Sequence, residues 1–451
     1  MLPVLLGVLL SLAVSVLSLG SPSYRLELDL HPADALWKLE GKAIIAGHAP
    51  ADLGALVFRF YQGYNAPFTV ISARDAEGAL PIYPVDAATF GVSLPLSRGQ
   101  TFSVTLEYAA EIPPFPGGGY GTLSATEDVI LVAQGYPFLL PWDEERGSWI
   151  LEPVLSWGDQ VVAEAADYSV TIRHPDGWEV VATGEERARG SGATEVRGQN
   201  LREFAFVLIK NYTPASRKEN DVEIRSWYPR GLPRAGGEAL ELCVEALSLY
   251  EKLFGEYPFP ELDAVAVPLN RAAGVEFPGL ILAGIEYYRR YEAGRRELIF
   301  PMIFAHEVAH QWWYAQVGND QVREPWVDEA LATYTSGLAM AEWGLYGELR
   351  AHWERTYELG RSRNPDATPF DPLWRFPEGE GYGGIVYSGG ALFFLELEEA
   401  MGKERLLSAL RRYLKDYRWK LATGDDLLSI LREEGGEAAE GVIRDWRGAV
   451  P

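Results

Sequence analysis

The order of hydrophobic patterns along the chain points to a multidomain α+β fold, an antiparallel β-domain followed by a mainly α domain. Three observations carry this. Alternation with a period of two dominates from residue 21 to about 213, a helical period dominates after 237, and a stretch rich in Pro, Arg and Gly lies between. The 451 residues, 47% hydrophobic and 12% aromatic, contain apolar material for two or three domains and exclude a disordered chain.

Residues 1–20 stand apart as a signal peptide or membrane anchor. From 2 to 19 there is no charge and most residues are apolar, and Ser18-Leu19-Gly20 offers small residues where a signal peptidase reads. No Lys or Arg precedes the apolar run, and if left uncut its 18 residues just span a bilayer. Either route places the protein outside the cytoplasm: secreted, periplasmic or anchored at the outer face of the membrane.

Residues 21–213 read as the β-domain. Over 24–30, Tyr24, Leu26, Leu28 and Leu30 alternate with Arg25, Glu27 and Asp29, as in a half-buried strand. Further strands are expected at 43–47, 55–61, 101–108, 129–132, 168–173, 178–183 and 204–210. Turn formers such as Pro175-Asp176-Gly177 and Pro116-Gly117-Gly118-Gly119 separate them, and no internal repeat is present. Residues 214–236, polar and Pro-containing around one strand at 222–228, read as a junction. In 237–451, helices are expected at 238–254, 297–317, 326–341, 346–359, 387–401, 403–416, 424–433 and 438–446. A strand at 264–268 and a Gly-rich segment at 273–284 interrupt them.

Forty basic against 64 acidic residues give a net charge of −24, which repels phosphate backbones and anionic headgroups and excludes nucleic acid as a partner. The single cysteine, Cys243, rules out an intrachain disulfide framework or a Cys-rich zinc ribbon, and its helical apolar setting marks it as a core residue.

The strongest local pattern is His306-Glu307-Val308-Ala309-His310. Histidines four apart in an apolar helix share one face and can bind one metal, while Glu307 projects where a metal-bound water would sit, as a general base. A hydrolytic zinc takes three protein ligands and leaves a fourth position open. Glu329, separated from His310 by 18 residues and lying in Pro325-Trp326-Val327-Asp328-Glu329, is the candidate third ligand, and Gly318-Asn319-Asp320 turns its helix back onto the first. A His₂Glu zinc with a carboxylate base points to hydrolysis of an amide bond.

These residues resemble the gluzincin aminopeptidases, the aminopeptidase N and leukotriene hydrolase group. Phe254-Gly255-Glu256-Tyr257-Pro258-Phe259-Pro260 is similar to the start of that family's catalytic domain, and the segment from Trp446 to Pro451 is similar to its end. Ala273-Gly274-Val275-Glu276-Phe277 is similar to its Gly-Ala-Met-Glu-Asn segment, with Glu276 lying 30 residues before His306, and Tyr387-Ser388-Gly389-Gly390 resembles its Tyr-x-Lys-Gly. The resemblance implies a saddle-like β-domain followed by a thermolysin-like catalytic domain over 237–451, one Zn²⁺ per chain, and peptide substrates with a free N-terminus. It implies that Glu276 binds the α-amino group and Tyr387 the oxyanion, with Tyr382 a second candidate. Gln134, in Ala133-Gln134-Gly135-Tyr136, resembles a β-domain residue that shares the amine site. Val275, Phe277 and Gly389 depart from the pattern, and Tyr136 stands at a position open to a second acidic residue. The family's large C-terminal helical domain has no counterpart after Pro451, so a more open cleft is expected.

The expected activity is removal of N-terminal residues from peptides. The alternatives are a thermolysin-type zinc endopeptidase and a catalytically weak peptide-binding relative. Glu276 separates the first two, and an intact Glu307 argues against the third.

Overall fold

The computed structural model describes residues 21–447, apart from 35 and 191. The signal or anchor expected at 1–20 lies outside the described residues. Among those described, no helix is long and apolar enough to cross a membrane.

A seven-stranded sheet organises the first domain, in the order Glu185–Ala188, Ala193–Leu201, Ala166–Arg173, Ser23–Ala33, Leu36–His48, Thr101–Ile112, Phe68–Arg74. The alternation seen in the sequence faces as expected: Tyr24, Leu26, Leu28 and Leu30 are buried and Arg25 is exposed. One neighbour departs from an all-antiparallel arrangement, because Ser23–Ala33 runs parallel to Ala166–Arg173. Two four-stranded sheets complete the domain. One joins Phe138–Leu139, Leu53–Arg59, Thr89–Leu96 and Ile82–Pro84, and the other joins Glu179–Ala182, Ala205–Ile209, Val129–Ala133 and Leu123–Ala125.

The segment read as a junction, 214–236, is part of the second domain. Tyr212–Glu219 and Val222–Pro229 form a hairpin closed by a two-residue turn at Asn220-Asp221, with Asn220 at φ 52°. Its second strand runs parallel to Glu261–Val267 in a five-stranded sheet that continues through Leu280–Gly284 to the edge strand Gly274–Phe277. The hairpin resembles a linker in sequence because its outer strand is an edge, where exposed Arg217 and Lys218 discourage pairing with other chains. The change of domain therefore falls between Ile209 and Tyr212.

Among the described residues eight α-helices follow: α1 Pro233–Phe254, α2 Ile285–Glu292, α3 Ile299–Ala309, α4 Trp326–Glu342, α5 Tyr346–Arg363, α6 Gly390–Met401, α7 Lys403–Tyr417 and α8 Gly424–Arg447. α2 was not expected, and α8 joins two expected helices across a kink at Gly436. α3 stops eight residues before the expected limit of 317, because Tyr314, at φ 104°, reverses the chain and its N–H bonds to the Val317 carbonyl at 2.9 Å. α1 lies under α3, with the Tyr250 hydroxyl donating to the Ala305 carbonyl at 2.8 Å and Cys243 fully buried. Ahead of α6, Gly383–Gly389 is wound as a wide π-helical turn. It presses against α5, and a Cβ at Gly384 would sit 2.2 Å from the Thr356 carbonyl oxygen.

Candidate active site

α3 and α4 pack face to face and bring three ligand atoms together. His306 Nε2 lies 3.0 Å from His310 Nε2 and 3.2 Å from Glu329 Oε2, and His310 Nε2 lies 3.5 Å from the same oxygen. His310 Nδ1 donates to the Trp313 carbonyl at 2.9 Å, which leaves Nε2 free of a proton for a ligand. Thr333 bridges the two helices at the site, donating to the Glu329 carbonyl at 2.7 Å with its Oγ1 3.5 Å from His306 Nδ1. The head of α4 is set by Asp328, which accepts from Asn319 Nδ2 at 3.0 Å and Gln321 Nε2 at 2.8 Å. Pro325 is the residue just before that helix, so Glu329 falls in its first turn.

Glu307 is 5% exposed, and its Oε2 is buried without a hydrogen-bond partner. Gly274 makes room for it, since a Cβ there would lie 2.3 Å from Glu307 Oε1. Glu276 comes from the same edge strand, with Oε1 3.9 Å from His310 Nδ1. That strand is fastened to the turn after α3 by Gln311, which accepts from the Gly279 N–H at 2.9 Å and donates to the Phe277 carbonyl at 3.1 Å. Tyr387, on the π-helical turn, donates to Glu329 Oε1, and its ring stacks on His306 at 5.7 Å. Tyr382 packs edge-on against Tyr387 at 5.5 Å, with its buried hydroxyl unpartnered.

The charges are out of balance. Burial and then the nearby carboxylates push Glu307 and Glu276 well above the usual carboxylate range. Burial opposes a charge on His310, but Glu276, Glu329 and Glu307 outweigh it and raise its pKa. The same contest goes the other way at Glu329, where burial is overcome by the two imidazoles and the pKa falls. Three buried carboxylates around two imidazoles whose Nε2 atoms face each other form a cation site, and two His with one carboxylate is the donor set of catalytic zinc. The residues present fit that metal.

The site lies in a cavity of about 520 Å³ walled by both domains. Met302 and Ile303 of α3 and Trp353 of α5 form an apolar side. Opposite, the β-domain contributes Tyr120, Ser156, Trp157 and Asp159, none of which carried a sequence signal. Burial, with Glu329 standing against it, raises the pKa of Asp159.

Of the residues anticipated, His306, Glu307, His310, Glu329, Glu276, Tyr387 and Tyr382 line this cavity or sit at its metal end. Gln134 does not. Its Nε2 donates to Glu203 at 2.6 Å and its Oε1 accepts from Gln62 at 3.2 Å, in a small adjoining cavity that shares Tyr120, Ser156, Trp157 and Asp159 with the main one. Tyr136 is a core residue bonded to the Tyr168 hydroxyl at 2.8 Å.

Residues 238–446 match the family described as "Peptidase family M1 domain". The chain is 27% identical over 248 residues to aminopeptidase M1-B of Oryza sativa subsp. japonica, covering 53% of this chain and 28% of that protein. It is 26% identical over 250 residues to probable aminopeptidase 2 of Sulfurisphaera tokodaii, covering 53% and 32%. The matches thus span less than a third of the length of these curated relatives. An M1 zinc metallopeptidase from Deinococcus radiodurans shares the fold over 96% of both chains, with a TM-score of 0.67 at 20% identity. The β-then-helical architecture follows that structure. Residues 238–446 of the chain thus carry the region that is similar to peptidase family M1.

Proposed function

We propose that this protein is a zinc aminopeptidase that releases N-terminal residues from peptides. The observation that carries the reading is the position of Glu276, a buried carboxylate at the metal end of the cavity without a Lys or Arg partner among the described residues. It lets a peptide enter only as far as its terminal ammonium, which places the first peptide bond beside Glu307. His306, His310 and Glu329 would hold the zinc, which would supply an acidified water and a Lewis acid for the carbonyl. Glu307 takes a proton on its unpartnered Oε2 and returns it to the leaving amine. Tyr387 turns its hydroxyl from Glu329 to the carbonyl oxygen as charge develops there.

The test is hydrolysis of aminoacyl-arylamides beside their N-acetylated forms, with and without a zinc chelator. Chelator-sensitive cleavage of the free-amine forms alone is expected; equal cleavage of blocked forms would make this an endopeptidase. The apolar stretch 2–19 supports an extracytoplasmic location, to be checked by fractionation and by sequencing the N-terminus of the mature protein.

A further inference from the structure

We propose that Tyr314 is a positioning residue for the zinc ligand His310, through which the β-domain keeps that imidazole set for the metal. This rests on the zinc site of the reading above and not on its preference for a free N-terminus.

The turn after α3 holds Tyr314 at φ 104°, a conformation that glycine adopts freely and a bulky residue rarely does. Such a residue persists only where its surroundings over-determine it. Three bonds do so here. The Tyr314 N–H donates to the Val317 carbonyl at 2.9 Å. Its carbonyl accepts from Arg202 Nε at 2.8 Å, and its hydroxyl donates to Glu203 Oε1. Arg202 and Glu203 are consecutive residues between the β-domain strands Ala193–Leu201 and Ala205–Ile209, so the last two bonds cross from one domain to the other. Tyr314, Arg202 and Glu203 are all buried. Glu203 is itself fixed from behind, where Gln134 Nε2 donates to its Oε2 at 2.6 Å and Gln62 Nε2 donates to Gln134 Oε1 at 3.2 Å.

The peptide unit joining Trp313 to Tyr314 carries this anchorage to the metal ligand. Its N–H is the one bonded to Val317, and its oxygen accepts from His310 Nδ1 at 2.9 Å. Glu276 Oε1, 3.9 Å from the same nitrogen, is too far to take that proton. The orientation of one peptide plane therefore fixes both the rotation of the His310 ring and which of its nitrogens is left bare for zinc. A residue free to leave positive φ would let that plane turn, and the imidazole with it. Tyr314 is not among the residues that line the catalytic cavity, so it acts through His310 rather than on the substrate.

The experiment measures zinc affinity by competition with a chelator, and the visible absorption of the Co²⁺-substituted protein as a reporter of ligand geometry. Tyr314→Phe keeps the ring and removes the bond to Glu203; it should weaken zinc by about 10- to 100-fold and shift the cobalt bands. Glu203→Ala breaks the same bond from its other end and should do the same, and the double variant should bind zinc no more weakly than either single one. Leu28→Ala, in the core of the β-domain, controls for lost stability alone; its thermal midpoint should fall while its zinc affinity stays at the wild-type value. Unchanged affinity and spectrum in the two single variants, additive losses in the double variant, or an equal loss in Leu28→Ala would overturn the proposal. Should one single variant not fold, the other, set against Leu28→Ala, decides alone. If wild type binds no zinc, the reading above fails and this proposal with it. If it binds zinc yet cleaves blocked and free substrates alike, only the aminopeptidase reading fails.

Discussion

At the scale of single residues, the site asks opposite things of chemically identical side chains. Glu307 must stay unpartnered while Glu329, one helix away, is held by two imidazoles and a tyrosine. Glu307→Gln should keep one zinc per chain and lose about 10²- to 10⁴-fold in kcat, read by kinetics beside metal analysis; activity near wild type would remove it as the base. Away from the metal, burial lifts Glu203 to about 7, partly offset by bonds from Tyr314 and Gln134. Its proton is therefore held more tightly in the folded state, so stability falls as pH rises from about 4.5 to 7, by at most about 3 kcal/mol. Glu203→Gln should flatten that part of a denaturation-versus-pH profile, and an unaltered slope would refute the assignment. The metal set was legible because a spacing of four in a helix is geometry written in sequence. Glu276 and Tyr387 needed a family resemblance, and Asp159 had no signal because Glu276 and Glu329, which line the same cavity, are over a hundred residues away in the chain.

Elements place these side chains through close approach, and two glycines show how. At Gly274 a methyl would meet the flexible end of Glu307, whereas at Gly384 it would meet backbone of α5. Gly274→Ala should therefore depress kcat by about tenfold or more through a displaced base, with little change in thermal midpoint. Gly384→Ala should cost about 1–3 kcal/mol of stability by overpacking, measured by urea unfolding. If the two variants showed the same balance of lost activity and lost stability, this distinction would be wrong. The long periodic helices α1, α4, α5 and α7 were readable from their patterns. The outer strand of the hairpin, Tyr212–Glu219, was not, since an edge strand wears loop-like charges, and the end of α3 was not, since a positive φ at a tyrosine is a tertiary effect.

Over the whole molecule, the cavity depends on how the two domains are pinned. Arg202, fully buried in the β-domain, donates to the carbonyls of Ala163, Tyr314 and Lys420 at 2.8, 2.8 and 3.2 Å, so it grips the turn that follows α3. Arg202→Met should cost about 3–5 kcal/mol, because the carbonyls and the neighbouring acids Glu164 and Glu203 lose their cation. Denaturant unfolding would test this, and a loss under about 1 kcal/mol would show the clamp to be dispensable. Composition foretold that two domains exist, but nothing in it located the contacts between them. One consequence reaches beyond catalysis. Cys243 is the only thiol in the chain, sealed on the buried face of α1, and burial pushes its pKa up. A thiol reagent can reach it only when α1 lifts from the core, so the rate of labelling counts those openings one molecule at a time. Compared with zinc bound and zinc stripped, that rate would report how far the metal restrains the breathing of the catalytic domain.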